Sequence, residues 1–230
     1  MNSAELLALF DELRVADVRD GMDWAGLHAK GTVPREIGPL FPGAKVTGIA
    51  RTIRFRPTEQ QTAQLPPEEY TEWAYRYWYP KRYPDPLRGT LQDGEVVVIE
   101  SAGFPDVGEV GSNNSLDWHA HGARGVITSG GVRDTDECIH QGVPIFCRYR
   151  AQKMVQGRVE FDAAQVPVNI GGVLVRPGDI VVGDGDGLIV VPAEQAETVA
   201  KYARQELDND KVGRRAIYEG LGWAPDHTVQ

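Results

Sequence analysis

The chain has 230 residues, 41% of them hydrophobic and 25% charged, enough apolar material for one sizeable core and too balanced a composition for a disordered chain. Thirty-three acids against 24 lysines and arginines leave a net charge of −9, which speaks against general binding to nucleic acid or to an anionic membrane. No apolar run approaches a membrane span, "MNSAELLALFDELR" lacks the flanks of a signal peptide, and the two cysteines (Cys138 and Cys147) form no CxxC pattern; a reduced, cytoplasmic protein is expected.

In chain order, Ser3 is placed to cap a first helix whose apolar positions Leu6, Leu7, Phe10 and Leu13 recur at helical spacing. "AKVTGIARTIRFRP" switches to a strand pattern, and "GEVVVIES" is apolar enough to be a strand buried on both faces. A short helix is expected after "GSNNS", ending near Gly122, followed by a buried strand at "RGVITS". "DTDECIHQG" reads as one or two helical turns closed by Gly142. "PIFCRY", "MVQGRVEF", "GGVLVRPGD", "DIVVGD" and "GLIVVP" give short strands punctuated by glycine turns. Pro192 opens a last helix over 193–220, with Val199, Tyr202, Ala203 and Leu207 on one face. The class is mixed α/β in a single domain spanning 1–230.

Residues 58–90 break this rhythm. They hold two of the five tryptophans and five of the eight tyrosines between prolines. Such a segment either packs on itself over a sheet edge or subunit contact, or forms a wall over a site, with Arg76, Lys81 or Arg82 reaching an anionic substrate.

The chemistry gathers at strand ends, where α/β folds place their sites. In "ITSGGVRDTDE", Gly130 and Gly131 permit a close backbone approach. Arg133 offers a planar fork of donors for a carboxylate or enolate oxygen, and Asp134 is a hard oxygen ligand suited to Mg²⁺ or Mn²⁺. The plainer alternative is a structural Arg–Asp pair with Asp134 as a helix N-cap. Upstream, "VGEVGSNNS" sets Gly111, Ser112, Asn113 and Asn114 before a helix, where backbone N–H groups can cradle an anion.

These motifs, with "VPIFCR" and "GGVLVRPGDIVVGDGDGLIVVP", make the chain resemble the RraA-like family. That family holds regulators of ribonuclease E activity and class II 4-hydroxy-4-methyl-2-oxoglutarate/4-carboxy-4-hydroxy-2-oxoadipate aldolases. The resemblance is strong from about 94 to 192 and weaker over "VADVRDGM". It implies a swivelling β/β/α fold assembled as a homotrimer or a dimer of trimers (a homohexamer), with the site at the subunit boundary. It further implies Arg133 as the enolate stabiliser, Asp134 as the Mg²⁺ or Mn²⁺ ligand, and Val110, Gly111, Ser112 and Asn113 as the loop that binds the pyruvate carboxylate. An acid from a neighbour's C-terminal region is also implied, with Glu206, Asp208 and Asp210 as candidates.

One position departs from the pattern. Where the family places a water-orienting acid, 21 residues before Arg133, this chain has Ser112. A hydroxyl holds water but is a poor proton donor, so Asn113 or Glu109 would have to substitute. The expected activity is a metal-dependent lyase, either a retro-aldolase or an oxaloacetate-type decarboxylase, acting on a 2-oxo acid through a pyruvate-like enolate. The alternatives are a non-catalytic regulator that binds a ribonuclease and a different enolate-forming enzyme. Elsewhere, His119 and His121 point to different helix faces, "GDGDG" (183–187) is a tight turn before it is a calcium loop, Cys147 is a core residue, and Asp136 and Glu137 either support the site residues from behind or form a solvated first helical turn.

Overall fold

In a computed structural model, which describes residues 2–230, the chain opens with α1 (Ser3–Ala8) and α2 (Val15–Trp24). The strands β1 (Gly38–Pro39) and β2 (Val46–Pro57) follow. The aromatic segment then folds as α3 (Pro67–Trp73), a π-helical turn (Ala74–Trp78) and α4 (Tyr79–Arg82). Next come β3 (Glu95–Glu100), β4 (Gly108–Val110), α5 (Ser112–Ala120), β5 (Gly125–Val132), α6 (Thr135–Gln141) and β6 (Ile145–Arg150). The remaining strands are β7 (Val159–Ala164), β8 (Val168–Ile170), β9 (Val173–Val175), β10 (Ile180–Asp184) and β11 (Gly187–Val191). A 3₁₀ turn (Ala193–Gln195) leads into α7 (Ala196–Leu221).

A nine-stranded sheet in the order β1-β6-β5-β3-β2-β10-β11 carries β4 beside β5 and β7 beside β2. Its centre is parallel, β6-β5-β3-β2, and its flanks are antiparallel. Val96 to Ile99 are wholly buried, as an apolar run covered on both faces must be. Beyond the paired strands, Thr32, in the segment before β1, makes an isolated antiparallel bridge to Ile189 of β11. α1, α2 and α7 cover one side through Val18, Met22, Val199, Ala203 and Leu207. The other side packs on α5, α6 and residues of the aromatic segment, with Leu87, Trp118 and Cys138 in that core.

Several expected elements are corrected. Asn2 caps α1, not Ser3; its Oδ1 accepts from the Glu5 N–H while Glu5 returns a bond to the Asn2 N–H. That helix ends at Ala8, so Leu13 lies outside it and α2 follows as a separate element. "MVQG" is a turn, and the strand there starts only at Val159. The "GDGDG" sequence is the β10–β11 hairpin, in which Asp184 accepts from the Asp186 N–H and, across the fold, from the Val15 N–H at the start of α2.

The aromatic segment anchors through Trp78, which has no solvent exposure and sits against Trp73 at 5.7 Å between ring centroids. Trp78→Ala is expected to cost about 3–5 kcal/mol in urea unfolding. A cost below about 1 kcal/mol would show that the segment contributes little to folding.

Candidate active site

β4 and β5 run side by side, and both finish at the same edge of the sheet. The Arg133 N–H donates to the Val110 carbonyl at 2.9 Å, which locks the two strand ends together. Asp134 then takes a left-handed backbone, φ 54° and ψ 40°, a conformation that costs a non-glycine residue of order 1 kcal/mol. Asp134 stands at the N-cap position of α6, yet its side chain caps nothing there. The left-handed turn swings the carboxylate away from its own helix and towards α5. There Oδ2 lies 3.4 Å from the Ser112 N–H and Oδ1 lies 3.4 Å from the Arg133 Nε. The cap alternative is thereby corrected: Asp134 is held open, with over a third of its side chain exposed.

Two glycines make room for the pair. A Cβ on Gly111 would fall 2.6 Å from Asp134 Oδ2, and one on Gly108 would fall 2.6–2.8 Å from the Arg133 side chain. Gly111 has an ordinary extended φ of −142°, so alanine there is forbidden by the neighbour and not by the backbone. Gly111→Ala should therefore leave the melting temperature within a few degrees while displacing the Asp134 carboxylate. If Asp134 holds a divalent ion, calorimetric titration with Mn²⁺ should show binding to the variant weakened by roughly tenfold or more; unchanged binding would mean that Asp134 holds no such ion.

α5 begins beside this carboxylate. Gly111 N–H is taken by the Asn114 side chain at 2.7 Å, whereas the Asn113 and Asn114 amides meet no protein acceptor among the described residues. These first-turn amides, at the positive end of the helix, are placed where an anion could accept from them. Gly111, Asn113, Asn114, Arg133 and Asp134 all line one cavity of about 360 Å³. Val110 and Ser112 are buried and do not line it; Val110 serves through its carbonyl and Ser112 through its N–H.

The far wall of the cavity comes from the aromatic segment. Tyr75, Tyr79, Tyr83 and Asp85 line it together with Phe55 and Trp118. Tyr83 stacks on Phe55 at 4.6 Å and donates to the Glu109 carbonyl at 2.6 Å. Asp85 accepts from Trp118 Nε1 at 2.9 Å. The cations proposed from sequence face elsewhere: Arg76 pairs with Glu72, Lys81 lies over the Tyr77 ring, and Arg82 faces Glu160. Beneath the strand ends Glu109 is 2% exposed. Its Oε1 accepts from Ser101 Oγ and the Ala102 N–H, while Oε2 is buried with no partner among the described residues. Burial pushes this carboxyl up to about 7, against the pull of those two hydrogen bonds.

A family model described as RraA-like, aldolase/RraA, matches residues 15–190. The chain belongs to the RraA-like family. A relative from Halalkalibacterium halodurans, named "Putative 4-hydroxy-4-methyl-2-oxoglutarate aldolase", is 32% identical over 132 residues, 56% of this chain and 60% of that protein. DlpA of Legionella pneumophila is 28% identical over 89% of this chain, which spans only 30% of DlpA. Among solved structures, Streptomyces coelicolor RraAS2, described as an unusual member of the RNase ES inhibitor RraA protein family, superposes with a TM-score of 0.75. It is 27% identical and the match covers 94% of this chain and all of that one. The fold is thus the swivelling β/β/α type of the RraA-like proteins.

Of the acids in this lining, Glu109 is buried and Asp85 is engaged by Trp118, which leaves the partly exposed Asp134 carboxylate, and no group of three or more His, Cys, Asp or Glu converges among the described residues. A single carboxylate with room for water and substrate oxygens fits Mg²⁺ or Mn²⁺, and does not fit a closed zinc site. Glu206 accepts from Trp24 and Asp210 pairs with Arg14, both on the α2–α7 side of the sheet, and Asp208 shares that helix. His119 and His121 bond separate carbonyls, those of Ala123 and Asp117. Cys147 is buried in β6, and Asp136 and Glu137 sit in the first turn of α6. Sequence reasoning did not place Tyr79, Tyr83 and Asp85 at the site. The only signal for them was the density of aromatic residues between prolines.

Proposed function

We propose that this RraA-like protein is a divalent-metal-dependent lyase that cleaves a carbon–carbon bond of a 2-oxo acid to give pyruvate or a close analogue. One observation carries this: Arg133, Asp134 and the free amides of α5 meet in a single cavity, in space that Gly108 and Gly111 leave open. The Asn113 and Asn114 amides would hold the substrate carboxylate. The Arg133 fork would face the oxygen on which negative charge develops as the bond breaks and its electrons pass into the enolate. A proton delivered to the enolate carbon then completes the product. Mg²⁺ or Mn²⁺ at Asp134, when bound, would polarise the 2-oxo group as a Lewis acid.

Decarboxylation asks least of this site, because carbon dioxide leaves without a hydroxyl proton to remove. Retro-aldol cleavage needs a base for that proton, and Ser112 is not one. Glu109, a carboxyl that titrates near neutrality just behind the strand ends, is the group suited to the role. The test is pyruvate release from oxaloacetate with added Mg²⁺ or Mn²⁺. The protein should exceed the rate of free metal, and a rate equal to free metal would overturn the proposal. The likeness to RraAS2 supports a second role, regulation of a ribonuclease. Inhibition of a ribonuclease with no turnover of any 2-oxo acid would put that role in its place.

A further inference from the structure

The cavity is chemically two-faced. Its floor carries Arg133, Asp134 and the amide edge of α5, whereas its far wall is built from Phe55, Tyr79, Tyr83 and Trp118. Among the described residues Arg133 is the sole cation in this lining, against three acids, Asp85, Glu109 and Asp134. If Arg133 serves the reacting oxygen, this chain brings no second cation to the lining for a carboxylate that is kept through the reaction, in contrast to one that leaves as carbon dioxide. Such a group would also meet Asp85, whose charge stands at the wall and is held there by Trp118 Nε1 and the Leu87 N–H.

The tyrosines do not neutralise an anion. The Tyr83 hydroxyl donates to the Glu109 carbonyl, whereas Tyr79 OH accepts from Gln156 Nε2 at 2.7 Å and keeps its own proton; a neutral hydroxyl can bond a carboxylate but cannot offset its charge. What they offer the cavity is ring surface, with Tyr83 already stacked on Phe55 at an interplanar angle of 15°. Rings arranged in this way favour another flat apolar group by offset or edge contacts. A volume of about 360 Å³ lies within the range that takes a small ligand, which leaves room for an aryl group beyond a three-carbon 2-oxo acid.

We infer that the substrate is a 2-oxo acid bearing an aromatic or bulky apolar group at its far end, which the aromatic wall selects against a carboxylate that is kept through the reaction. The placement of the 2-oxo acid end rests on the lyase function proposed above. The wall's preference does not depend on turnover, so binding and catalysis can be read apart.

The intact protein with Mg²⁺ is titrated calorimetrically with phenylpyruvate and with 2-oxoglutarate. In parallel, pyruvate release is followed from 4-hydroxy-2-oxo-4-phenylbutanoate and from 4-hydroxy-4-methyl-2-oxoglutarate, with oxaloacetate as the reference substrate. Phenylpyruvate should bind roughly tenfold or more tightly than 2-oxoglutarate, and the aryl aldol should lead in kcat/KM by a similar factor. Equal binding, or tighter 2-oxoglutarate, would overturn the inference even if oxaloacetate is turned over. The binding preference without turnover of any substrate would sustain the wall's selectivity and overturn the lyase function alone. As a variant that spares the core, Met154→Arg places a cation at a lining position that is 43% exposed. It should move the binding ratio towards 2-oxoglutarate by about tenfold, and an unmoved ratio would count against the wall as the selector.

Discussion

Arg133→Ala is expected to lower kcat/KM for pyruvate release by roughly 10²–10³-fold, about 3–4 kcal/mol of transition-state stabilisation. The residue is not part of the core. Its side chain is about a third exposed, and its one charged partner is Asp134 at 3.4 Å, a contact of little worth to folding. The melting temperature should therefore stay within a few degrees of wild type, so that lost rate reports on chemistry. Arg133→Lys keeps the charge and loses the planar fork, and should recover only part of the rate. Full activity in the alanine variant would remove Arg133 from the mechanism.

Glu109→Gln should produce the largest pH-dependent change in stability. The folded-state carboxyl titrates at about 7, above its ordinary 4.5, because burial penalises its charge. The folded protein thus holds this proton more tightly than the unfolded chain does. Stability from this group is full below about pH 4.5, falls as pH rises from there to about 7, and is level above. The total loss is roughly 3 kcal/mol at 1.36 kcal/mol per unit. Glutamine keeps an acceptor for Ser101 and Ala102 and carries no charge. The variant should match wild type near pH 4.5 and exceed it in urea or thermal unfolding at pH 8; a variant less stable at pH 8 would contradict the shifted titration. If Glu109 also takes the hydroxyl proton, its replacement slows retro-aldol cleavage and spares oxaloacetate decarboxylation.

How far the site could be read in advance follows from where its parts lie in the chain. "GGVRD" and "VGEVGSNNS" are short, contiguous and set at strand ends, so Arg133, Asp134 and the α5 amides were visible as chemistry before any fold was known. The left-handed backbone of Asp134 was not, since an aspartate before a helix is ordinarily a cap and only the three-dimensional turn shows where its carboxylate points. α2 was hidden for a similar reason. Gly21 looks like a helix breaker, but a Cβ there would fall 2.5 Å from the Val199 carbonyl, so the glycine exists to let α2 and α7 touch.

The aromatic wall was the least legible part. Tyr79 and Tyr83 reach the cavity through a π-helical turn and stacking on Phe55, contacts between segments far apart in sequence. Composition marked the segment as unusual and pointed to its cations; packing turned those outwards and the rings in. The sequence offers Glu109 as a substitute acid, and its burial explains why a carboxyl three residues from the expected position can still hold a proton near neutrality.

We place a divalent ion and a 2-oxo acid carboxylate together on the edge between Gly111 and Asp134. A crystal structure of the protein grown with Mn²⁺ and oxalate tests it most directly, with anomalous scattering locating the metal. The prediction is Mn²⁺ on the Asp134 carboxylate and oxalate on the Asn113 and Asn114 amides, with the Arg133 guanidinium against it. Mn²⁺ and oxalate bound elsewhere, with this edge holding neither, would contradict it.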